Sequence, residues 1–143
     1  ILTYMPLSEA DYGTLSCRAA NSVGMQNNPC TYTILPAKKP DPPTNCSVYN
    51  LTDNSLDLQC SPGYDGGLQV SFIVEVWSSQ RLVVNATSQV PSWSLGRLGA
   101  NRELQLMVYA ANMKGKSKHF LLNVETLKIL MKTVYVMLDL YKI

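Results

Sequence analysis

Four prolines fall within nine residues in "LPAKKPDPP", Leu35 to Pro43. Proline locks its own φ and offers no backbone N–H, so neither a hydrogen-bonded ladder nor a helix runs through such a stretch. The segment reads as a stiff, extended connector. It cuts the 143-residue chain into two unequal parts. The shorter carries "DYGTLSCRAANSVGMQNNPCTYTI"; the longer, roughly 85 residues, holds about seven strand-like runs. In the longer part, apolar alternations recur about every 8–12 residues between Gly, Pro, Asn and Ser clusters, the pattern of a β-sandwich and not of βαβ units. No helical periodicity of useful length precedes the C-terminal tail.

A chain of this length allows one domain with a sizeable core, or one domain plus pieces. With 46% of its residues hydrophobic and 15% charged, it has the ordinary profile of a folded protein. A formal net charge of +2 is too small to point to nucleic acid or an anionic membrane surface. The basic residues are scattered, apart from Lys38-Lys39 and the alternation Lys114, Lys116, Lys118, which read as solvated loop positions. Ile1 stands within an apparent strand pattern with no signal peptide before it, and the expectation is a fragment of something longer. The run "LKILMKTVYVMLDLYKI" is apolar, but Lys132 and Asp139 interrupt it and it is too short for a bilayer span. Either a last strand with an adventitious tail or an amphipathic segment packed on another body fits it.

The stretch "PPTNCSVYNLTDNSLDLQC" contains Cys46 and Cys60. If Asn45–Tyr49 and Ser55–Cys60 are strands joined through "NLTDN", pairing Val48 with Leu58 sets Cys46 directly opposite Cys60. Period-two alternation then puts all four on the inner face. Directly opposed β-carbons lie about 4.5–5.5 Å apart, and a modest twist brings that within disulfide reach. Metal binding needs more ligands than the chain clusters, for there is no CxxC and His119 is the only histidine. A redox pair would want a CxxC at a helix start. A structural disulfide is expected, with two buried free thiols as its rival.

Three sequons fit N-x-S/T: Asn45-Cys46-Ser47, Asn50-Leu51-Thr52 and Asn85-Ala86-Thr87. Asn45 should point outward beside an inward cysteine, with Asn50 in the hairpin turn and Asn85 near a strand end. All three are then open to glycosylation, which belongs with disulfides in secretory space. The expected location is extracellular.

The N-terminal part resembles the end of an immunoglobulin domain. Asp11, Gly13, Leu15 and Cys17 follow that family's D-x-G-x-Y-x-C run into strand F, "AANSVG" resembles the F–G turn, and Met25 to Ile34 resembles strand G. The resemblance departs at Leu15, where the corner tyrosine usually stands. It implies for Cys17 a strand-B partner absent from this chain, and it offers no partner for Cys30. A half-sandwich of this kind has no opposing sheet to bury against.

The C-terminal part resembles a fibronectin type III domain from "PDPPTNCSV" through "SPGYDGGLQVSFIVEV" to "LGRLGANRELQLMVYAANMKGKS". Leu98, Leu106, Val108, Ala110, Asn112, Gly115 and Ser117 fall in the family's register. Leu104 replaces the corner tyrosine, and Cys60 stands where strand B usually carries a core tryptophan. The cysteine clip would replace part of that missing tryptophan core. The expected architecture is therefore all-β, a fibronectin type III β-sandwich preceded by the last strands of an immunoglobulin domain. Its expected divisions are 1–35 (incomplete immunoglobulin part), 36–43 (connector), 44–128 (type III part) and 129–143 (tail).

No nucleophile–base constellation is visible: there is one histidine, no G-x-S-x-G, no P-loop and no carboxylate pair in an evident cleft. No catalytic residue, cofactor, metal or small-molecule substrate is expected. "GYDGG", Gly63 to Gly67, reads as a B–C loop with Asp65-Gly66 turn chemistry, the rival being close approach to a phosphate or cation. In strand C, Val70, Phe72, Val74 and Val76 alternate inward, leaving Ile73, Glu75 and Trp77 outside. In strand F, Leu104, Leu106, Val108 and Ala110 alternate inward, leaving Gln105, Met107 and Tyr109 outside. Ile73, Trp77, Met107 and Tyr109 then form a candidate interaction patch, since aromatic residues and Met enrich partner surfaces. Ordinary cross-strand pairing or cover by the tail would also account for it.

The domain order and "CRAANSVGMQNNPC", "NCSV" and "PGYDGG" together resemble the insect sidestep family, with nephrin-like adhesion receptors close behind. The resemblance covers about Leu2 to Lys128. It implies a single-pass cell-surface receptor in axon guidance, with a membrane-proximal type III domain and partners among immunoglobulin proteins of the beaten-path type. Binding in that family is attributed to outermost immunoglobulin domains, so no ligand-contact residue carries over. The alternative is a secreted or cytokine-receptor-like module whose type III domain itself contacts ligand.

Overall fold

The computed structural model describes residues 1–129. After a short 3-10 turn at Glu9–Asp11 come β1 (Gly13–Cys17), β2 (Cys30–Ile34), β3 (Thr44–Tyr49), β4 (Leu56–Ser61) and β5 (Ser71–Ser78). There follow β6 (Arg81–Ser88), β7 (Ser92–Leu95), β8 (Glu103–Asn112), β9 (Gly115–Lys116) and β10 (Phe120–Glu125). β1 and β2 form a two-stranded ribbon, and β3-β4-β7 form one sheet. β10-β8-β5-β6 form the other, with the short β9 added beside β8. Every pairing is antiparallel. The fold is all-β, a β-sandwich of the fibronectin type III and immunoglobulin kind.

Period-two alternation builds the sandwich core. Leu56, Leu58 and Cys60 of β4, with Trp93 and Leu95 of β7, face Phe72, Val74 and Val76 of β5. Leu104, Leu106, Val108 and Ala110 of β8 complete that side. Each fully buried Leu, Val or Phe contributes about 1.5–3 kcal/mol relative to exposure. This core contains a tryptophan, although strand B offers none: Trp93 of β7 lies opposite Leu58. The expectation of a missing tryptophan core is corrected, because the neighbouring strand of the same sheet delivers an indole to that layer.

At one end of the sandwich the 96–102 loop has no corner tyrosine and is tied down by other means. Leu98 is fully buried, and its N–H donates to the Asn54 carbonyl at 3.0 Å. The buried Thr126 hydroxyl donates to the Gly99 carbonyl at 2.6 Å and accepts from the Arg102 N–H at 2.9 Å. A polar side chain so enclosed is tolerable because both its hydrogen-bonding directions are used.

The ribbon buries little; only Leu15 and Ile34 within its strands are even half-buried. Residues 1–7 join no strand, which corrects the strand pattern read at Ile1; Pro6 has no N–H to give a ladder. The strand expected from Met25 begins only at Cys30, where the ladder to β1 starts. Met25 pairs with Ala20 in an isolated bridge, and Pro29, which has no N–H to give, stands between Met25 and the start of β2. The connector lies against the sandwich, with Pro40 and Pro43 buried. Most of the C-terminal tail expected at 129–143 lies outside the described residues, and no helix among those described is long and apolar enough to cross a membrane.

Candidate functional site

Cys46 and Cys60 are joined by a disulfide, with Cα atoms 4.0 Å apart and a sequence separation of 14. Val48 pairs with Leu58 and Ser47 with Gln59, but the next pair is Thr44 with Ser61. Asn45 and Cys46 together thus oppose Cys60 alone, a β-bulge in place of the continuous ladder read from the sequence. Asn45 takes φ 49°, a left-handed conformation that Asn adopts more readily than most residues. The extra residue lets Asn45 turn outward while Cys46 stays against the core.

Cys17 and Cys30 are free and exposed, and they occupy directly opposed positions in the β1–β2 ladder. No group of three or more metal-ligating side chains occurs among the described residues.

All three sequon asparagines are exposed. Asn50, at φ 48° in the β3–β4 turn, donates its side-chain amide to Asp57 Oδ2 at 2.7 Å. That bond, followed by one from Ser94, holds the Asp57 carboxyl below its ordinary range. Asn85 is not near a strand end: β6 runs three residues past it, and it stands directly opposite Glu75. The β5–β6 ladder extends to the Phe72–Ser88 pair, which places Asn85 inside it.

On the outer face of the larger sheet, Ile73 lies opposite Tyr109, Glu75 opposite Met107 and Trp77 opposite Gln105. The structure therefore brings Ile73, Trp77, Met107 and Tyr109 to one face, each half-buried. It also places a charge among them. The Trp77 indole N–H donates to Glu75 Oε2 at 3.2 Å, and Lys116 Nζ lies 3.8 Å from Glu75 Oε1. The same ammonium sits 5.1 Å from the centre of the Tyr109 ring, within cation–π range. Tyr109 donates its hydroxyl to Met107 Sδ at 3.6 Å and packs edge-on against His119. Desolvation, then the Glu75 charge, pushes the Tyr109 phenol above its ordinary value. The apolar area expected here is thus a mixed surface, with Leu82 and Leu121 as its exposed apolar margins.

Beside Trp77 an open groove of about 1270 Å³ runs between the β5–β6 turn and the ends of β8 and β10. Its lining includes Trp77, Gln80, Arg81, Leu82, Gln105 and Asn123. The sequence reading missed it, because three segments far apart in the chain form its walls.

The "GYDGG" loop resolves as turn chemistry plus a close approach to the chain's own backbone. Asp65 Oδ1 accepts the Gly67 N–H at 2.7 Å, an Asx turn. Gly66, buried at φ 78°, packs so near the Lys38 carbonyl that a β-carbon would overlap it. The Lys38 N–H donates to the Gly66 carbonyl at 3.0 Å, and the Asp41 N–H donates to that of Tyr64 at 2.9 Å.

Comparison with known proteins places this geometry in context. No protein-family model matches the chain. Human nephrin is 35% identical over 75 residues, which are 52% of this chain and 6% of that protein. Nephrin of Rattus norvegicus is 27% identical over 122 residues, 82% of this chain and 10% of that protein. The chain thus spans a tenth or less of the curated relatives it matches. Among solved structures, domains A168–A170 of titin align with a TM-score of 0.60 and 23% identity, over 85% of this chain and 43% of theirs. Domains d3–d4 of the rat CD45 extracellular region align with a TM-score of 0.60 and 17% identity, over 88% and 70%. The chain is similar in sequence to nephrin along most of its length and shares its fold with tandem domains of titin and CD45.

Proposed function

We propose that the chain is a non-catalytic stretch of the extracellular part of a cell-adhesion receptor, comprising the end of an immunoglobulin-like domain (1–35), a connector (36–43) and a type III domain (44–128). The observation that carries this reading is the continuous similarity to rat nephrin over 122 residues. It is long enough to cross the connector, which supports reading the two parts together and not only one sandwich. The disulfide and the three exposed sequons support a secretory route, in which Asn45, Asn50 and Asn85 are glycosylated.

Within that reading the sidestep-like features favour a guidance receptor held on the plasma membrane by a span outside this chain. Its partners are then immunoglobulin-superfamily proteins of the beaten-path type, and the type III part acts as a membrane-proximal spacer. The alternative, a secreted or cytokine-receptor-like module, gains support from the mixed aromatic face at Trp77 and Tyr109. Replacing residues 44–128 of the full-length receptor with an unrelated type III domain separates the two. Cell–cell binding to a beaten-path-type partner persists if the segment is a spacer and disappears if it contacts ligand. A full-length protein that never reaches the cell surface or the medium would refute both.

A further inference from the structure

We infer that the N-glycan of Asn85 folds back across Trp77 into the adjoining groove, so that the groove is a saccharide subsite occupied in cis. The inference rests on the extracellular reading and adds to it a defined occupant for the outer face. Its first support is register. Asn85 pairs with Glu75, so both side chains project from the same face of the sheet, and that face is the one bearing Trp77. The next outward pair along the ladder is Trp77 with Leu82, about 7 Å farther on. The Trp77 indole N–H bonds Glu75, the residue paired with Asn85, so the indole and Asn85 share one neighbour. A glycan leaving Asn85 toward the groove therefore has the Trp77–Leu82 pair in its path.

Chemistry is the second support. The groove offers one indole and the carboxamides of Gln80, Asn101, Gln105 and Asn123. Carboxamides both donate and accept, which suits the hydroxyl and acetamido groups of a sugar. An indole supplies an apolar surface for the C–H face of a pyranose ring. The charged lining mixes signs, Arg81 and Arg102 with Glu103 and Glu125, which does not select a polyanion. Polar groups beside one aromatic ring are the kind of lining that small-ligand sites use. Tethering at Asn85 keeps one such ligand at high effective concentration without a second molecule.

Trp77 is read as the difference between the protein and its Trp77→Phe variant, and Trp93, buried at 7% exposure, contributes little to that difference. The test uses the full-length glycoprotein from a secretory host, with glycopeptide mapping and acrylamide quenching of tryptophan fluorescence. Measurements are made before and after endoglycosidase trimming of the folded protein to single N-acetylglucosamine stubs. Occupied Asn85 and loss of Trp77 protection on trimming are expected, and Thr87→Ala, which abolishes the sequon, should be unprotected from the start. Quenching unchanged by trimming would overturn the inference. So would glycans at Asn45 and Asn50 with Asn85 bare, an outcome that leaves the extracellular reading standing. A secreted protein with no occupied sequon removes the inference and weakens that reading with it.

Discussion

Asn112 donates its side-chain amide to the Lys38 carbonyl at 2.7 Å, across 74 positions of sequence, and also to the Asp65 carbonyl at 2.9 Å. One carboxamide at the end of β8 thus pins the connector and the β4–β5 loop together. Gly66 fills the junction between them. The proline-rich segment is therefore a strap bonded to the sandwich at Lys38 and Asp41.

The strap can be loosened at its glycine. Gly66→Ala places a methyl group against the Lys38 carbonyl in a left-handed backbone, and the expected cost is about 1–3 kcal/mol. Asn112→Ala should cost a similar ~1–2 kcal/mol by leaving the two carbonyls short of a donor. Urea unfolding checks both, and limited proteolysis within residues 36–43 should quicken in each variant. Wild-type stability and cleavage rate in both would show that the strap does not hold.

The Cys46–Cys60 bond closes a 14-position loop, and chain-entropy arguments assign such a loop about 3 kcal/mol. A Cys46→Ala/Cys60→Ala variant should lose that amount, and the wild type under reductant should lose nearly as much. The comparison is made by denaturant midpoint with and without dithiothreitol. A double variant insensitive to reductant but as stable as the oxidised wild type would disprove the clip's role.

Trp93 is buried with no hydrogen-bond partner for its indole N–H. Trp93→Phe removes that unpaired donor while keeping most of the ring volume, so a loss of about 1.5 kcal/mol or less is expected. Trp93→Ala opens a cavity and should lose about 3–5 kcal/mol. Calorimetry on the pair tests the contrast; equal losses would mean that ring volume is not what Trp93 supplies.

Two carboxylates set the acid limb of stability. Asn50, then Ser94, hold the Asp57 carboxyl below its ordinary value of 3.8. The Leu7 and Ser8 N–H groups, with the Ser8 hydroxyl, do the same for Asp11. A carboxylate whose folded pKa is depressed stabilises the fold above its unfolded pKa, and that contribution fades as pH falls through the folded value. Melting temperature should therefore drop as pH falls below about 4, and Asn50→Ala should flatten part of that slope. The Tyr109 phenol has the opposite sign: with its folded pKa raised, its contribution is complete below pH 10 and is lost as pH climbs beyond that. Thermal melts at acid and alkaline pH, with Tyr109→Phe as the control, test both limbs.

The strands β4, β5 and β8 were legible because each alternates apolar and polar residues within a few positions, and the burial pattern repeats that alternation. The register of Val48 with Leu58 was legible because a short turn joins their strands. The bulge at Asn45 was not, since one extra residue changes no composition and shows only when the Thr44–Ser61 pair is formed. Trp93 was missed because β7 is four residues long and leaves no periodic signal. The two-residue β9 was missed for the same reason, although it carries the Lys116 that meets Glu75 and Tyr109.

By itself the sequence determined the all-β class, the inward and outward faces of the long strands and the proline-rich stretch through which no strand runs. Those follow from period-two patterning and from proline's missing N–H, both of which act within a few residues. Tertiary structure alone decided that Gly66 meets Lys38, that Glu75 and Lys116 interrupt the aromatic face, and that Asn85 shares that face with Trp77. Each of these joins segments far apart in the chain, and only the packed sheets set the distances on which such contacts depend.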